Sequence, residues 1–311
     1  VLVGEPLLLV GPPGTAKSNL ISVFHQCVNT KVEGDYFHYL LTRFTEPNEL
    51  FGYFEIDQSG KLWRDPNNVH TIQNARVVFL DEVFNASSAI LNSLLTFMNE
   101  RLFFDRGDVI SVNMQCLFGA TNDIPNSNDL RAVFDRFLIR WEVNNVDLQP
   151  NSGIDTFDKL LHTGLTETYG RFNEHDRTYL KSQSDGDNEI LQSLYESISE
   201  KKPIDIHYPQ LLDEIRAFQL MFKAWVSTKK LKPIAGEDYT KEFARVINNF
   251  RQYGYSEMSN RRVIKMLHAM FLHSIYQSVK NKKNKYTMGK DQLQLLRFSV
   301  DRWDDGLFDM I

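Results

Sequence analysis

The sequence predicts an α/β chain: a first half built on a parallel sheet covered on both faces by helices, and a second half that is almost entirely helical. Three observations predict it. Up to about Val146, five short apolar runs (Leu7 to Val10, Tyr36 to Leu41, Val77 to Leu80, Cys116 to Ala120, Leu138 to Val143) alternate with helical patterns long enough to serve as crossovers. After Asp147 such runs give way to helical periodicities, LLDEIRAFQLMFKAWV and RRVIKMLHAMFLHSIYQSV among them. At 311 residues the chain can fill two cores. The expected division is 1–147 and 148–311, with a flexible polar loop, KSQSDGDNE, at 181–189.

Bulk properties exclude several classes. A net charge of −5 and a pI of about 5.9 provide no global basic field for nucleic acid or a bilayer surface. No apolar run reaches the ~18 residues of a membrane span. The front of the chain, Val1-Leu2-Val3-Gly4, has no signal-peptide layout. The two cysteines, Cys27 and Cys116, fall in a helical and a strand pattern and read as core thiols, which fits a reducing, cytoplasmic setting.

Taken in order, the first run ends in GPPGTAKS, Gly11 to Ser18, and then continues as a helix. A strand, a glycine-rich turn and a helix start aim successive backbone N–H groups and the helix partial charge at one point, a phosphate cradle. The candidate nucleotide contacts are Gly11, Pro12, Pro13, Gly14, Thr15, Ala16, Lys17, Ser18 and Asn19. Lys17 has the reach for β- and γ-phosphate oxygens, and Ser18 can ligate Mg²⁺. Ala16 stands where the phosphate-loop pattern has its second glycine, which is tolerable if its φ is negative.

After the second run, YFEIDQSGKLWR (Tyr53 to Arg64) reads as a hairpin turning at Gln58-Ser59-Gly60. The third run, VVFLDE, delivers Asp81 and Glu82 at its carboxyl end, where α/β sheets bind ligands. Asp81 would hold Mg²⁺ through water, and Glu82 would orient and polarise the attacking water. A second hairpin, RLFFDRGDVISVNM (Arg101 to Met114), turns at Asp105-Arg106-Gly107. The fourth run ends in GATN, and Asn122 would lie beside Glu82 if the two strands are neighbours. DRF, Asp135 to Phe137, precedes the fifth.

This order of motifs is that of the AAA+ ATPases. The chain resembles the MoxR group, whose phosphate loop has the same alanine before its lysine, and it is most similar to the RavA subfamily. The stretches that carry the likeness are YLLTRFTEPNELFG, VVFLDEVFNASSAILNSLLTFMNER, DRFLIRWEV and SNRRVIKMLHA. The resemblance implies a five-stranded AAA+ module with an all-helical lid, ATP and Mg²⁺ as cofactors, and a ring oligomer, expected to be a hexamer. It implies hydrolysis coupled to chaperone-like remodelling of a protein partner, such as one with a von Willebrand A domain. Arg136 becomes the arginine finger reaching a neighbour's nucleotide, with Arg131 the alternative. Arg261 becomes the sensor-2 arginine on the γ-phosphate, with Arg262 the alternative because helical phasing decides which faces the site. Ser259-Asn260-Arg261 replaces the group's Ser-Pro-Arg, asparagine standing for proline.

Both hairpins match insertions of the helix-2-insert clade. Their aromatics Phe54, Trp63 and Phe103 serve either to grip a partner or to pack the hairpins. Members of this group have segments before the first strand and beyond the lid, so the chain is expected to be a piece of a longer protein.

Two other functions stay open. A nucleic-acid translocase or phage-defence ATPase would line its hairpins with cations, yet the second sets Arg101 and Arg106 against Asp105 and Asp108. A metal-chelatase subunit would need ligand spacing that His162, His175, His207, His268 and His273 lack. The basic run KNKKNK, Lys280 to Lys285, reads as a solvated loop.

Overall fold

The computed structural model describes residues 3–28, 32–56, 58–105, 108–125, 128–145, 178, 210–227, 237–282, 288–303 and 305–308. The loop at 181–189, the histidines His162, His175 and His207, and the second half of KNKKNK, 283–285, lie outside the described residues. Residues 1–143 and 208–311 belong to one compact unit and 144–207 to another, almost wholly outside the described residues. The strands and helices described all belong to the first unit.

Nine strands are described: β1 Leu7–Val10, β2 Tyr36–Leu40, β3 Phe54–Ile56, β4 Leu62–Arg64, β5 Val77–Asp81, β6 Leu102–Asp105, β7 Asp108–Ser111, β8 Cys116–Thr121 and β9 Ile139–Glu142. Five form one parallel sheet in the order β2-β5-β8-β1-β9. The fivefold sheet and flanking helices are those the apolar runs predict. β3–β4 and β6–β7 pair antiparallel as the two hairpins, and Gly60 supplies the positive φ (+79°) of the first turn.

Alternation along the central strands serves two cores. Leu8, Val10, Val78 and Leu80 face one side, where helix α3 (Ser88–Glu100) lays Ile90, Leu91, Leu94, Phe97 and Met98 along one helical stripe. Ser87 caps this helix by accepting from the Ile90 amide. Leu9, Val77, Phe79 and Phe118 face the other side, against Ile21 and Val28 of α1 (Lys17–Val28). α2 (Pro47–Phe51) and α4 (Asn128–Phe134) complete the α/β part. Beyond it, α5 (Leu211–Ser227) packs Leu212 and Ile215 on that second face. α6 (Glu237–Gln252) and α7 (Asn260–Lys280) build a third core around Phe250, Met266, Met270 and Phe271 that also takes in Leu138 just before β9. Two short helices, α8 (Lys290–Leu293) and α9 (Asp305–Phe308), follow.

Among the hairpin aromatics, Phe103 is buried and stacks on Phe51 with centroids 4.2 Å apart, so packing is its role here. Phe54 lies under the Arg64 guanidinium at 3.8 Å, while Trp63 stays partly exposed. No helix of the described residues is long and apolar enough to cross a membrane.

Candidate functional site

The strand order dictates the geometry of the site. The phosphate loop follows β1, the acidic pair ends β5, and β8 runs between those two strands, so its terminal Asn122 falls between Lys17 and Glu82. Lys17 Nζ donates to Asn122 Oδ1 at 3.1 Å, and Asn122 Nδ2 donates to Glu82 Oε1 at 2.6 Å. The amide thus links the cation to the carboxylate, with its oxygen and nitrogen ends each used once. Asp81 Oδ2 accepts from Ser18 Oγ at 2.7 Å. That places a hydroxyl and a carboxylate at one spot, and hard oxygen donors of this kind fit Mg²⁺.

The loop itself is shaped by backbone conformation. Gly14 has φ +83° and Ala16 has φ +60°. The condition under which alanine is freely tolerated, a negative φ, is therefore not met at Ala16: the residue before Lys17 occupies the left-handed region, at a cost of about 1 kcal/mol for a side chain with a Cβ. The geometry explains why the pattern has glycine there. The turn must reverse direction so that consecutive N–H groups converge above α1. Thr15 Oγ1 donates to Pro12 O at 2.9 Å and ties the loop across its mouth, while Pro12, Pro13 and Gly14 are exposed and Asn19 is half-buried on the first turn of α1. Lys17 is buried and its Nζ also donates to Gly11 O at 2.6 Å and Pro12 O at 3.0 Å. All three ammonium donors are engaged by neutral oxygens, none of which offsets the charge of the ammonium.

Glu82 holds a left-handed backbone, φ +51° and ψ +46°, at the start of a 3-10 turn, Val83–Asn85. A non-glycine residue kept there stores strain of order 1 kcal/mol and aims its side chain off the strand end rather than along the strand. Burial holds the Glu82 carboxyl above the usual carboxylate range and the Asp81 charge adds to the effect, with Lys17 and the bond from Asn122 opposing it.

The DRF turn lies between α4 and β9. Phe137 is fully buried against β8, where Gly119 leaves room: a Cβ there would meet the Phe137 ring at 2.7 Å. Beside it, Arg136 makes, among the described residues, only a long pairing with Asp135, 3.7 Å, and its Nε is buried with no hydrogen-bond partner among them. Burial lowers the Arg136 pKa and the Arg261 charge lowers it further, against Asp135. The DRF turn and the start of α7 meet through the bond between Asp135 and Arg262. Arg131 instead pairs with Glu257 at 3.3 Å on the surface. The two consecutive arginines of α7 differ sharply: Arg261 is exposed, whereas Arg262 is buried and bonded to Asp135 and Ser256, each at 3.2 Å.

Sequence reading missed Arg140 and Asp301. Arg140 is fully buried in β9, donating to Phe137 O, Phe134 O, Val300 O and the Asp301 carboxylate. A charge inside the apolar run LIRW was the available signal, because a buried guanidinium requires a carboxylate. Nothing local, however, indicates where that carboxylate lies.

A family model described as the MoxR domain in the MoxR–vWA–beta-propeller ternary systems matches residues 1–201. The chain belongs to this family, and with it to the AAA+ ATPases. Two uncharacterized proteins of Methanocaldococcus jannaschii, MJ0079 and MJ0812, are each 38% identical over 149 residues, 47% of this chain and 38% of theirs. The structural protein ORF618 of Acidianus two-tailed virus is 30% identical over 164 residues, 51% of this chain and 26% of that one. The matched part thus spans well under half the length of these curated relatives. Among solved structures, a protein of Cytophaga hutchinsonii described as a candidate ATPase superposes with a TM-score of 0.55 at 14% identity, over 100% of this chain and 82% of that one. At that identity the likeness speaks for the fold alone.

Proposed function

We propose that the chain is the motor of a ring-forming machine that hydrolyses ATP to ADP and phosphate and spends that free energy on remodelling or activating a protein with a von Willebrand A domain. The observation that carries this reading is the bonded chain Lys17–Asn122–Glu82 beside the Ser18–Asp81 pair. It brings a phosphate-binding cation, a metal-ligating pair and a carboxylate base into one cradle at three neighbouring strand ends.

In this reading Lys17 exchanges carbonyl oxygens for β- and γ-phosphate oxygens. Ser18 and Asp81 would hold Mg²⁺, Asp81 by way of water, and the ion would supply positive charge to offset the negative charge of transfer. Glu82 takes the proton of the attacking water, its elevated pKa suiting a base that works near neutrality, while Asn122 holds its carboxylate in place. Arg136 serves a neighbouring subunit's nucleotide and Arg261 the γ-phosphate side of the lid. Arg262 is disfavoured for that role because its Nη donors already serve Asp135, Ser256 and Ser299. The von Willebrand A partner is supported by the company in which the matched family is described; the nearness to RavA rests on the sequence stretches alone. Arg64 of the first hairpin is engaged by Asp105, Asn48 and the Phe54 ring, which does not favour a nucleic-acid track.

The test is Glu82→Gln. ATP binding by calorimetry should stay within about twofold while turnover falls by on the order of 10²–10³, the range of a lost general base. Near wild-type turnover would remove Glu82 from the mechanism. Arg136→Ala, followed by turnover against protein concentration and mass photometry with ATP, tests the ring: an assembled but inactive mutant supports it, and activity independent of concentration opposes it.

A further inference from the structure

Four charged side chains from four separate segments meet where the DRF turn touches the helical part. Arg140 comes from β9, Arg262 from the first turn of α7, Asp135 from the turn itself and Asp301 from the segment after the helical core. Arg140 is bonded to the Asp301 carboxylate, and Arg262 Nη1 lies 3.2 Å from Asp135 Oδ1 and 3.5 Å from Asp301 Oδ1. Asp135 Oδ2 accepts from Ser259 Oγ at 3.2 Å, and Ser259 caps α7 by accepting from the Arg262 amide. The Asp301 backbone is tied as well, its amide donating to Tyr255 O at 2.7 Å. Two cations and two anions balance, so these four side chains are neutral as a set.

Outside it stand Arg136, next to Asp135, and Arg261, next to Arg262. Among the described residues Arg136 has only its long pairing with Asp135, and the 3.2 Å bond between Asp135 and Arg262 brings the neighbours of the two arginines together. Like charges repel by an amount that burial increases. Something must hold them there. The cluster does so by clamping the residue before Arg136 and the residue after Arg261 to one another.

We infer that Asp301 is a positioning residue: by pairing with both buried guanidinium groups it locks the Asp135–Arg136 turn to the start of α7, and so fixes where Arg136 and Arg261 stand, each for its own anionic ligand, the phosphate chain of a neighbouring subunit's nucleotide and that of the chain's own. The inference rests on the ATPase reading for the identity of those ligands, not for the clamp. A cavity of about 260 Å³ lined by Asp135, Arg140, Arg262 and Asp301 adjoins the cluster, room into which the joint can shift when the pairing is lost.

The experiment compares Asp301→Asn and Asp301→Glu with wild type, using ATP turnover, ADP binding by calorimetry, and amide exchange. Asn keeps the shape and removes the charge; Glu keeps the charge and moves it by one methylene, which makes it the variant expected to fold if Asn does not. Expected for Asn is a kcat about tenfold lower with KM for ATP and Kd for ADP within twofold, because Lys17 and Ser18 are untouched. Recovery to within threefold is expected for Glu. Exchange should quicken at 135–137 and 259–263 together and stay unchanged at 17–20. A folded Asn variant with wild-type kcat overturns the inference, and so does exchange that is unaltered at both segments or faster throughout the chain. If wild type shows no turnover, the ATPase reading falls instead, and joint loosening of the two segments still decides whether Asp301 is the clamp.

Discussion

The phosphate-loop end and the arginine joint are both polar clusters, built on opposite plans. At the loop, single side-chain bonds link Lys17 to Asn122, Asn122 to Glu82 and Ser18 to Asp81, and most of these residues are only partly buried. The neutral oxygens that Lys17 Nζ reaches are ones that phosphate oxygens can replace. At the joint, the Arg140 and Arg262 side chains are 0% and 3% exposed, and their guanidinium groups are shared among carboxylates, hydroxyls and main-chain carbonyls. Those bonds are committed. The difference teaches which arginines are available for chemistry: the ones next to the neutral cluster, not the ones within it. Arg261 and Arg262, one residue and about 100° of helix apart, fall on opposite sides of that line.

The largest effect that could break this contrast concerns those two residues. Arg262→Ala leaves Asp135 and Asp301 short of a buried partner and should cost about 3–5 kcal/mol in denaturant unfolding. Arg261→Ala should stay within about 0.5 kcal/mol, as an exposed substitution does, yet lower ATP turnover. Equal stability losses would erase the distinction between the regions. Next in size is Lys17→Ala, which removes the sole ammonium of the cradle. It should weaken ATP binding by about 10²-fold or more, the 2–3 kcal/mol expected for lost charge-assisted bonds, and leave the unfolding of the joint unaffected.

The same contrast separates what was legible in the sequence from what was not. The five sheet strands, both hairpins and the loop–Asp81–Glu82–Asn122 series could be read because each is a local pattern: apolar periodicity, turn chemistry, or a motif a few residues long. Strand order then follows from crossovers, and it is strand order that puts Asn122 beside Glu82. The joint was opaque. Arg140 and Asp301 are 161 residues apart, and no local period joins them. Choosing between Arg261 and Arg262 required the rotation of α7 about its axis, which Ser259 and Asp135 fix through space. Ala16 was opaque for a different reason: its sequence position is plain, but its φ is set by the loop that surrounds it.

A pH profile sharpens the loop side of the comparison. The Glu82 carboxyl titrates above its ordinary range, and the base acts as the carboxylate, so the acid limb of kcat/KM should lie above the usual carboxylate pKa. Asn122→Ala removes a donor that favours the ionised form; the limb should move further up in pH as turnover drops about tenfold, one bond's share at ~1.4 kcal/mol. A limb that stays put would separate Asn122 from the ionisation of Glu82.

The smallest effect belongs to Ala16→Gly, which asks whether the loop is strained for a purpose. Relief of the left-handed alanine should return about 1 kcal/mol, and the added freedom of glycine in the unfolded chain takes back part of it. The net gain is under about 1 kcal/mol, a rise in Tm of roughly 1–3 °C for a chain this long. Turnover should change little, since the backbone path is one that glycine adopts readily. If Tm falls instead, the +60° conformation is not what the folded loop holds, and the convergence of N–H groups on the phosphates would need a different origin. If Tm rises but turnover collapses, the methyl group itself restricts the loop to its binding-competent shape, and the strain at Ala16 is then part of how the cradle is held ready.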